Sequence, residues 1–249
     1  MKANYFSVVV ILSLFFIYGC YATKLLIKNN CPHKIWPATQ SGTGEGAAIP
    51  TGFRLASRGT KKFNLPNPWS GRIWARHLCS YSGQNFTCLS GDCRSGSIEC
   101  DGAGGTPPAT LVQFTIANTS DEKDFYSVSI VDGFNLPVSV TPINRPDCGI
   151  ADCLVNLKDA HCGNQVELEV RDQNETVIGC KSGCSAFNRD DLCCTGAYNS
   201  PQTCKPSIYS LTLKKLCDKA ITYPYDDETL FTCSGGANYK ITFCPWGQE

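Results

Sequence analysis

The cysteines constrain this chain more than any other feature: there are 17 in 249 residues. At that density, in a chain this long, they point to an oxidising compartment. One of them, Cys20, belongs to an N-terminal segment with the character of a secretory leader. Lys2 supplies a positive start, residues 8–18 are apolar except for Ser13, and Cys20-Tyr21-Ala22 offers small side chains at the positions that matter before a cut. Cleavage after Ala22 assigns residues 1–22 to a signal peptide and leaves 16 cysteines, an even number that allows up to eight disulfides. The apolar run is too short to span a bilayer, and no other run of 18 or more apolar residues occurs, so no transmembrane segment is expected.

Neighbouring cysteines rarely bridge each other, because a disulfide wants its Cα atoms about 5.5 Å apart. Cys193 and Cys194 are adjacent and are therefore expected to have different partners, tying two loops to one point. Zinc ligation would need paired spacings such as C-x2-C. None occurs, and the three histidines (His33, His77, His161) are scattered, so no metal site is expected. Nor is a cofactor: the loose glycine pattern Gly42-Thr43-Gly44-Glu45-Gly46-Ala47 runs into Ile49-Pro50-Thr51-Gly52, not into a helix, and reads as a loop. Lys plus Arg and Asp plus Glu number 22 each, and loss of Lys2 leaves the mature chain with one net negative charge. A nucleic-acid binder would need a basic surplus or stripe. With 42% hydrophobic residues the chain can bury a core of its own, and the bridges supplement that core.

Short strands dominate the rest of the pattern. Residues 24–28 form an apolar run ended by Asn29-Asn30. In residues 110–116 strict alternation places Leu111, Gln113 and Thr115 on one face and Val112, Phe114 and Ile116 on the core face. Tyr126, Val128 and Ile130 share a face opposite Ser127 and Ser129, before a turn at Asp132-Gly133. Residues 71–76 put Arg72, Trp74 and Arg76 on one side, and residues 238–243 make a final strand. Many short strands between Gly, Pro and Asn turns argue for a β-sandwich. The stretch from 147 to 217 differs: it holds nine of the 16 mature cysteines and alternates only at Val166-Glu167-Leu168-Glu169-Val170. Short helices are expected at 181–188 and 207–216, the latter opened by Pro206-Ser207. Three sequons, Asn85-Phe86-Thr87, Asn118-Thr119-Ser120 and Asn174-Glu175-Thr176, agree with secretion and glycosylation.

Several longer motifs resemble one family. They are Asn29-Asn30-Cys31-Pro32, Trp69-Ser70-Gly71-Arg72-Ile73-Trp74-Ala75-Arg76, Cys88-Leu89-Ser90-Gly91-Asp92-Cys93, Pro107-Pro108-Ala109-Thr110-Leu111, Val131-Asp132-Gly133-Phe134-Asn135-Leu136-Pro137 and the ending Phe243-Cys244-Pro245. Across essentially the whole mature chain the sequence resembles the thaumatin-like, pathogenesis-related proteins of plants, with Ser90 where that family usually has Thr. The resemblance implies a mainly β fold: a flattened β-sandwich, a disulfide-rich loop and helix lobe, a small third lobe and eight disulfides. By position the core takes about 23–76, 109–154 and 218–249, the small lobe about 77–108 and the disulfide-rich lobe about 155–217. The implied bridges are Cys31–Cys244, Cys79–Cys88, Cys93–Cys100, Cys148–Cys233, Cys153–Cys217, Cys162–Cys180, Cys184–Cys193 and Cys194–Cys204.

The family also implies a cleft between the core and the large lobe, associated with binding or cutting β-1,3-glucans of fungal walls. Its positions carry over to Arg72, Gln113, Ser127, Asp132 and Asp226. Gln113 stands where the family has Glu, and Ser127 where it has Asp. Glycoside hydrolysis needs one carboxyl to protonate the leaving oxygen and a second to act as base or nucleophile, and an amide cannot give up a proton in that role. Strict alternation would set Ser127 and Asp132 on opposite faces unless the chain bends near Asp132-Gly133.

These readings describe a secreted, extracellular or apoplastic, monomeric defence protein that binds β-1,3-glucan or another fungal-wall carbohydrate with little or no hydrolysis. A weak endo-β-1,3-glucanase and an inhibitor of a foreign hydrolase, α-amylase or protease, are the alternatives. We expect the secreted, deglycosylated protein to begin at Thr23 and to gain no mass from a thiol alkylating reagent added without reductant. An N-terminus well inside the 24–28 strand, or one labelled thiol in folded protein, would overturn this reading.

Overall fold

The computed structural model describes residues 22–42 and 49–247. The expected leader, apart from Ala22, and residues 43–47 of the glycine-rich loop lie outside the described residues. In chain order the strands are β1 (Thr23–Asn29), β2 (Trp36–Ser41), β3 (Thr60–Leu65), β4 (Trp69–Ser82), β5 (Asn85–Ser90), β6 (Leu111–Ile116) and β7 (Lys123–Ser129). They continue as β8 (Val138–Ile143), β9 (Ala151–Cys153), β10 (Glu169–Arg171), β11 (Val177–Cys180), β12 (Ala220–Ile221), β13 (Phe231–Ser234) and β14 (Asn238–Phe243). Helices α1 (Leu157–Asn164), α2 (Gly183–Phe187), α3 (Asp190–Cys193) and α4 (Ile208–Leu216) all fall in the cysteine-rich stretch.

Two sheets make the sandwich. One has the order β3-β1-β14-β8-β9; the other runs β12-β7-β6-β4-β2, with β13 added to β7 and β5 to β4. Each strand turns its alternate apolar residues inward, as the period of two requires. Leu25, Ile27, Tyr239 and Ile241 of the first sheet meet Ile73, Val112, Phe114, Tyr126 and Val128 of the second in one buried cluster. At its centre Phe114 and Tyr126 stack while Tyr239 meets Phe114 edge to face and Tyr126 at a tilt, with centroids 5.1 to 6.2 Å apart. Fully buried Asp124 accepts from the Tyr239 hydroxyl at 2.7 Å and from the Ala117 N–H at 2.8 Å, joining β7 to β14 across the core. Burial raises its pKa, against the lowering pull of those two donors.

The outward face of the second sheet is divided. Arg72, Trp74 and Arg76 do share it, but only Arg72 is exposed. Trp74 packs beneath the Cys93–Cys100 loop and donates its indole N–H to the Gly91 carbonyl at 2.8 Å. The Arg76 guanidinium is wholly buried there, donating to the carbonyls of Trp36 and Ile98 at 3.2 and 2.6 Å. Desolvation pulls its pKa down to about 10, with Asp92 and Glu99 opposing. The loop around Gly91, Cys93 and Cys100 thus covers one half of the face and leaves the half around Arg72 open.

The eight disulfides join Cys31–Cys244, Cys79–Cys88, Cys93–Cys100, Cys148–Cys233, Cys153–Cys217, Cys162–Cys180, Cys184–Cys193 and Cys194–Cys204. Cys193 and Cys194 do part to different partners. The expected helices at 181–188 and 207–216 correspond to α2 and α4, and Ser207 caps α4 by accepting from the Ser210 N–H at 3.1 Å. The alternating run 166–170 is not one strand: Val166–Leu168 is a 3-10 turn that buries Leu168 and exposes Val166, and only then does β10 begin.

Asp124→Ala should cost about 2–4 kcal/mol, because two buried donors lose their acceptor at once. Denaturant unfolding measures this, and an unchanged midpoint would show that the carboxyl is not the link between the sheets.

Candidate functional site

Antiparallel pairing brings the expected residues together. Arg72 on β4 lies opposite Gln113 on β6, and Gln113 lies opposite Ser127 on β7. On the other side Arg72 faces Gln40 on β2. Neighbours in such a row have Cβ atoms roughly 5 Å apart. Because Ile73, Val112 and Val128 turn into the sandwich, the row Gln40, Arg72, Gln113, Ser127 turns out, on the half of the face that the Cys93–Cys100 loop leaves open. Ser127 is only 1% exposed, and its hydroxyl donates to the Gln113 side-chain oxygen over a long 3.4 Å.

Above this row lies an open cleft of about 620 Å³. Its floor is the row itself together with Phe125, two residues before Ser127 on β7 and opposite Thr115; Ile221 and Leu230 also line it. The described lining comes from the sheet, from Gly42 and from Leu230, and no described residue of the segment 155–217 is among it. Phe125 and Leu230 are 39% and 45% exposed, large apolar side chains left facing solvent inside a polar groove. Among the described lining residues Arg72 is the one ionised group, and none is a carboxylate.

Asp132 stands beside this row, not in its floor. β7 ends at Ser129, and the Gly133 N–H donates back to the Ile130 carbonyl at 2.9 Å, closing a turn. Gly133 has φ +88°, and a Cβ there would meet the Cys180 carbonyl at 2.4 Å, so the turn requires glycine. The bend cancels the alternation that would have opposed Asp132 to Ser127, and the Asp132 carboxylate feels the Arg72 charge. Burial nevertheless raises its pKa, with Arg72 the opposing influence.

Asp226 stands apart from the row. Its carboxylate accepts from Lys214 Nζ at 3.0 Å, from the Thr222 N–H at 2.9 Å and from the Thr222 hydroxyl at 3.0 Å. It borders a separate pocket of about 160 Å³ with Tyr223 and Tyr225 and is absent from the lining of the cleft. Position in a motif said where Asp226 falls in the chain but not that α4 would present Lys214 to it. Lining residues outside the set expected from the sequence include Phe125, Gln40, Ile221 and Leu230. Phe125 has the same strand parity as Ser127 and was legible from alternation alone. Gln40 enters only through the β2–β4 register, which no local pattern announces. The sequon residues Asn85, Asn118 and Asn174 are all exposed.

The sequence model of the Thaumatin family matches residues 29–245. Thaumatin-like protein 1 of Pyrus pyrifolia is 46% identical over 230 residues, which span 91% of this chain and 93% of that protein. A Prunus avium protein named glucan endo-1,3-beta-glucosidase is 44% identical over 230 residues, 91% of this chain and 92% of its own. Among solved structures, a laminaripentaose-producing beta-1,3-glucanase in complex with laminaritetraose aligns with a TM-score of 0.58 at 12% identity, covering 89% of this chain and 98% of that one. At that identity the likeness is one of fold. Family match, relatives and architecture agree, and the chain belongs to the thaumatin family.

Proposed function

We propose that the protein is a secreted plant defence protein that holds β-1,3-glucan, or a related fungal-wall carbohydrate, in the cleft over β4, β6 and β7 without efficient hydrolysis. The observation that carries this reading is the chemistry of the row: a cation between two carboxamides, and a hydroxyl where a second acid would stand. Carboxamides and hydroxyls donate and accept at once, which suits the hydroxyl groups of a neutral sugar. Phe125 offers an apolar face against which a pyranose ring can lie. General-acid help is typically worth about 10²–10⁴-fold in such reactions, and Gln113 cannot supply it. Asp132 is a carboxyl near Arg72, but one acid outside the floor does not make the pair that hydrolysis needs.

The test is to restore the pair. The wild type should be retained by insoluble β-1,3-glucan and release little reducing sugar. Gln113→Glu with Ser127→Asp should raise release by at least about tenfold, a barrier change of only about 1.4 kcal/mol. Because Ser127 is nearly inaccessible, Gln113→Glu alone is the companion variant, expected to gain less but to fold as well as wild type. A wild type that cuts as fast as the double variant overturns the non-catalytic reading. Failure of every form to bind glucan overturns the ligand and favours an inhibitor of a foreign hydrolase.

A further inference from the structure

The outer face of the other sheet carries a charge pattern that the cleft does not use. Strands β3, β1, β14, β8 and β9 contain five lysines and one carboxylate, Asp152. Asp152 lies on the edge strand and is paired with Lys219 at 3.1 Å. Lys61 turns to the opposite side, its ammonium 4.6 Å from the ring centre of Phe53. The other four share the outward face. Lys62 lies opposite Leu26 on one side and Lys240 opposite it on the other, while Lys24 and Lys28 sit two residues before and after Leu26 along β1.

Strand spacing and rise place the backbones of Lys62 and Lys240 roughly 10 Å apart and those of Lys24 and Lys28 roughly 13 Å apart. The four form a diamond around one half-buried leucine. Among the described residues none of them enters an ion pair. Lys24 and Lys62 are exposed, and Lys28 and Lys240 half-buried. In a chain with equal numbers of basic and acidic residues this is segregation of charge, not surplus. Like charges held near one another without acids raise the local potential and favour a polyvalent anion.

We propose that this face docks a linear polyanionic polysaccharide of the polyuronate class, a chain of sugars each bearing a carboxylate. A flat array of ammonium groups fits an extended chain of repeated negative charge. The competing occupant, an anionic bilayer, would call for exposed apolar side chains to enter the interface. Among the described residues the exposed large apolar side chains lie elsewhere; none is on these five strands. The array is on the side of the sandwich opposite the cleft, so the two surfaces can be occupied together, and neither depends on the other.

Binding of the secreted protein to de-esterified polygalacturonate, to fully methyl-esterified pectin and to phosphatidylcholine–phosphatidylserine vesicles tests this. Retention on polygalacturonate is expected, with negligible retention on the methyl ester and a loss of at least about tenfold as salt rises from about 50 to about 300 mM. The triple variant Lys24→Glu, Lys62→Glu, Lys240→Glu should lose at least about tenfold in affinity, keep its thermal midpoint, and bind insoluble β-1,3-glucan as wild type does. The Gln triple at the same positions should show a smaller loss and covers any failure of the Glu triple to fold. A control that changes charge equally elsewhere, Lys123→Glu, Lys205→Glu, Lys215→Glu, should stay within about twofold. Equal loss in the control, undiminished binding by both face variants, retention on the methyl ester, or tighter binding to the vesicles than to polygalacturonate would each overturn the proposal.

Discussion

The pairing of the first strand with the last organises this molecule. β1 and β14 lie side by side in parallel at the centre of the five-stranded sheet, Leu25 against Tyr239 through Asn29 against Phe243. Immediately beyond the paired ends, Cys31 and Cys244 are bridged across 213 residues of sequence. The Asn30 N–H donates to the Phe243 carbonyl at 2.9 Å, and the Asn30 carboxamide donates to the Cys244 and Pro245 carbonyls. No local turn can make such a pairing, so everything between must fold before or with it. The large entropy of closing so long a loop explains why a covalent clamp sits there. Once closed, β14 carries Tyr239 into the middle of the sandwich, where Asp124 and the aromatic rings of the second sheet lock onto it.

From that arrangement the outer faces follow. A strand whose inner side is fixed in a dry core has its outer side fixed as well, because the side-chain period is two. Arg72, Gln113 and Ser127 are therefore held by the same packing that buries Ile73, Val112 and Val128. The site is preorganised by the core, on rigid strands and not on loops. The lysines of the opposite sheet are fixed by the same logic, with Leu25 and Ile27 as their inward counterparts. One sandwich thus presents a hydrogen-bonding groove with a single cation, Arg72, on one side and a plane of four lysines on the other.

Alternation within a strand was legible. Val112, Phe114 and Ile116 turn inward as the pattern of β6 dictates, and Tyr126 and Val128 do so for β7, with Ile130 buried just beyond its end. What lies between strands was not: Gln40 reaches Arg72 through register, and register is set by the whole sheet. The irregular lobe was least legible. Val166 to Val170 has a strand's pattern, yet the first half winds into a 3-10 turn to bury Leu168 and let the Leu168 carbonyl accept from the Lys181 N–H at 2.7 Å. Helix α1 has no amphipathic signal of its own; it ends where His161, Cys162 and Gly163 take up left-handed backbone beside the Cys162–Cys180 bridge. A motif gives the place of Asp226 in the chain but not the direction of its carboxylate, which depends on the partner that arrives, here Lys214.

The neutral residues at 113 and 127 also make energetic sense as a pair. They are direct cross-strand neighbours, so two carboxylates there would stand close together with like charge, which destabilises a sheet. Position 127 is nearly closed to solvent, and an ionised group at such a site loses most of its hydration. Asp132 already shows the burden, its pKa raised by burial even with Arg72 beside it. A catalytic acid pair in this cleft is a standing cost to the fold, of the kind active sites commonly impose. Gln113 and Ser127 remove that cost and keep hydrogen-bonding groups in place. They leave the Arg72 charge beside a partly buried acid, in a row whose other members donate and accept hydrogen bonds without ionising.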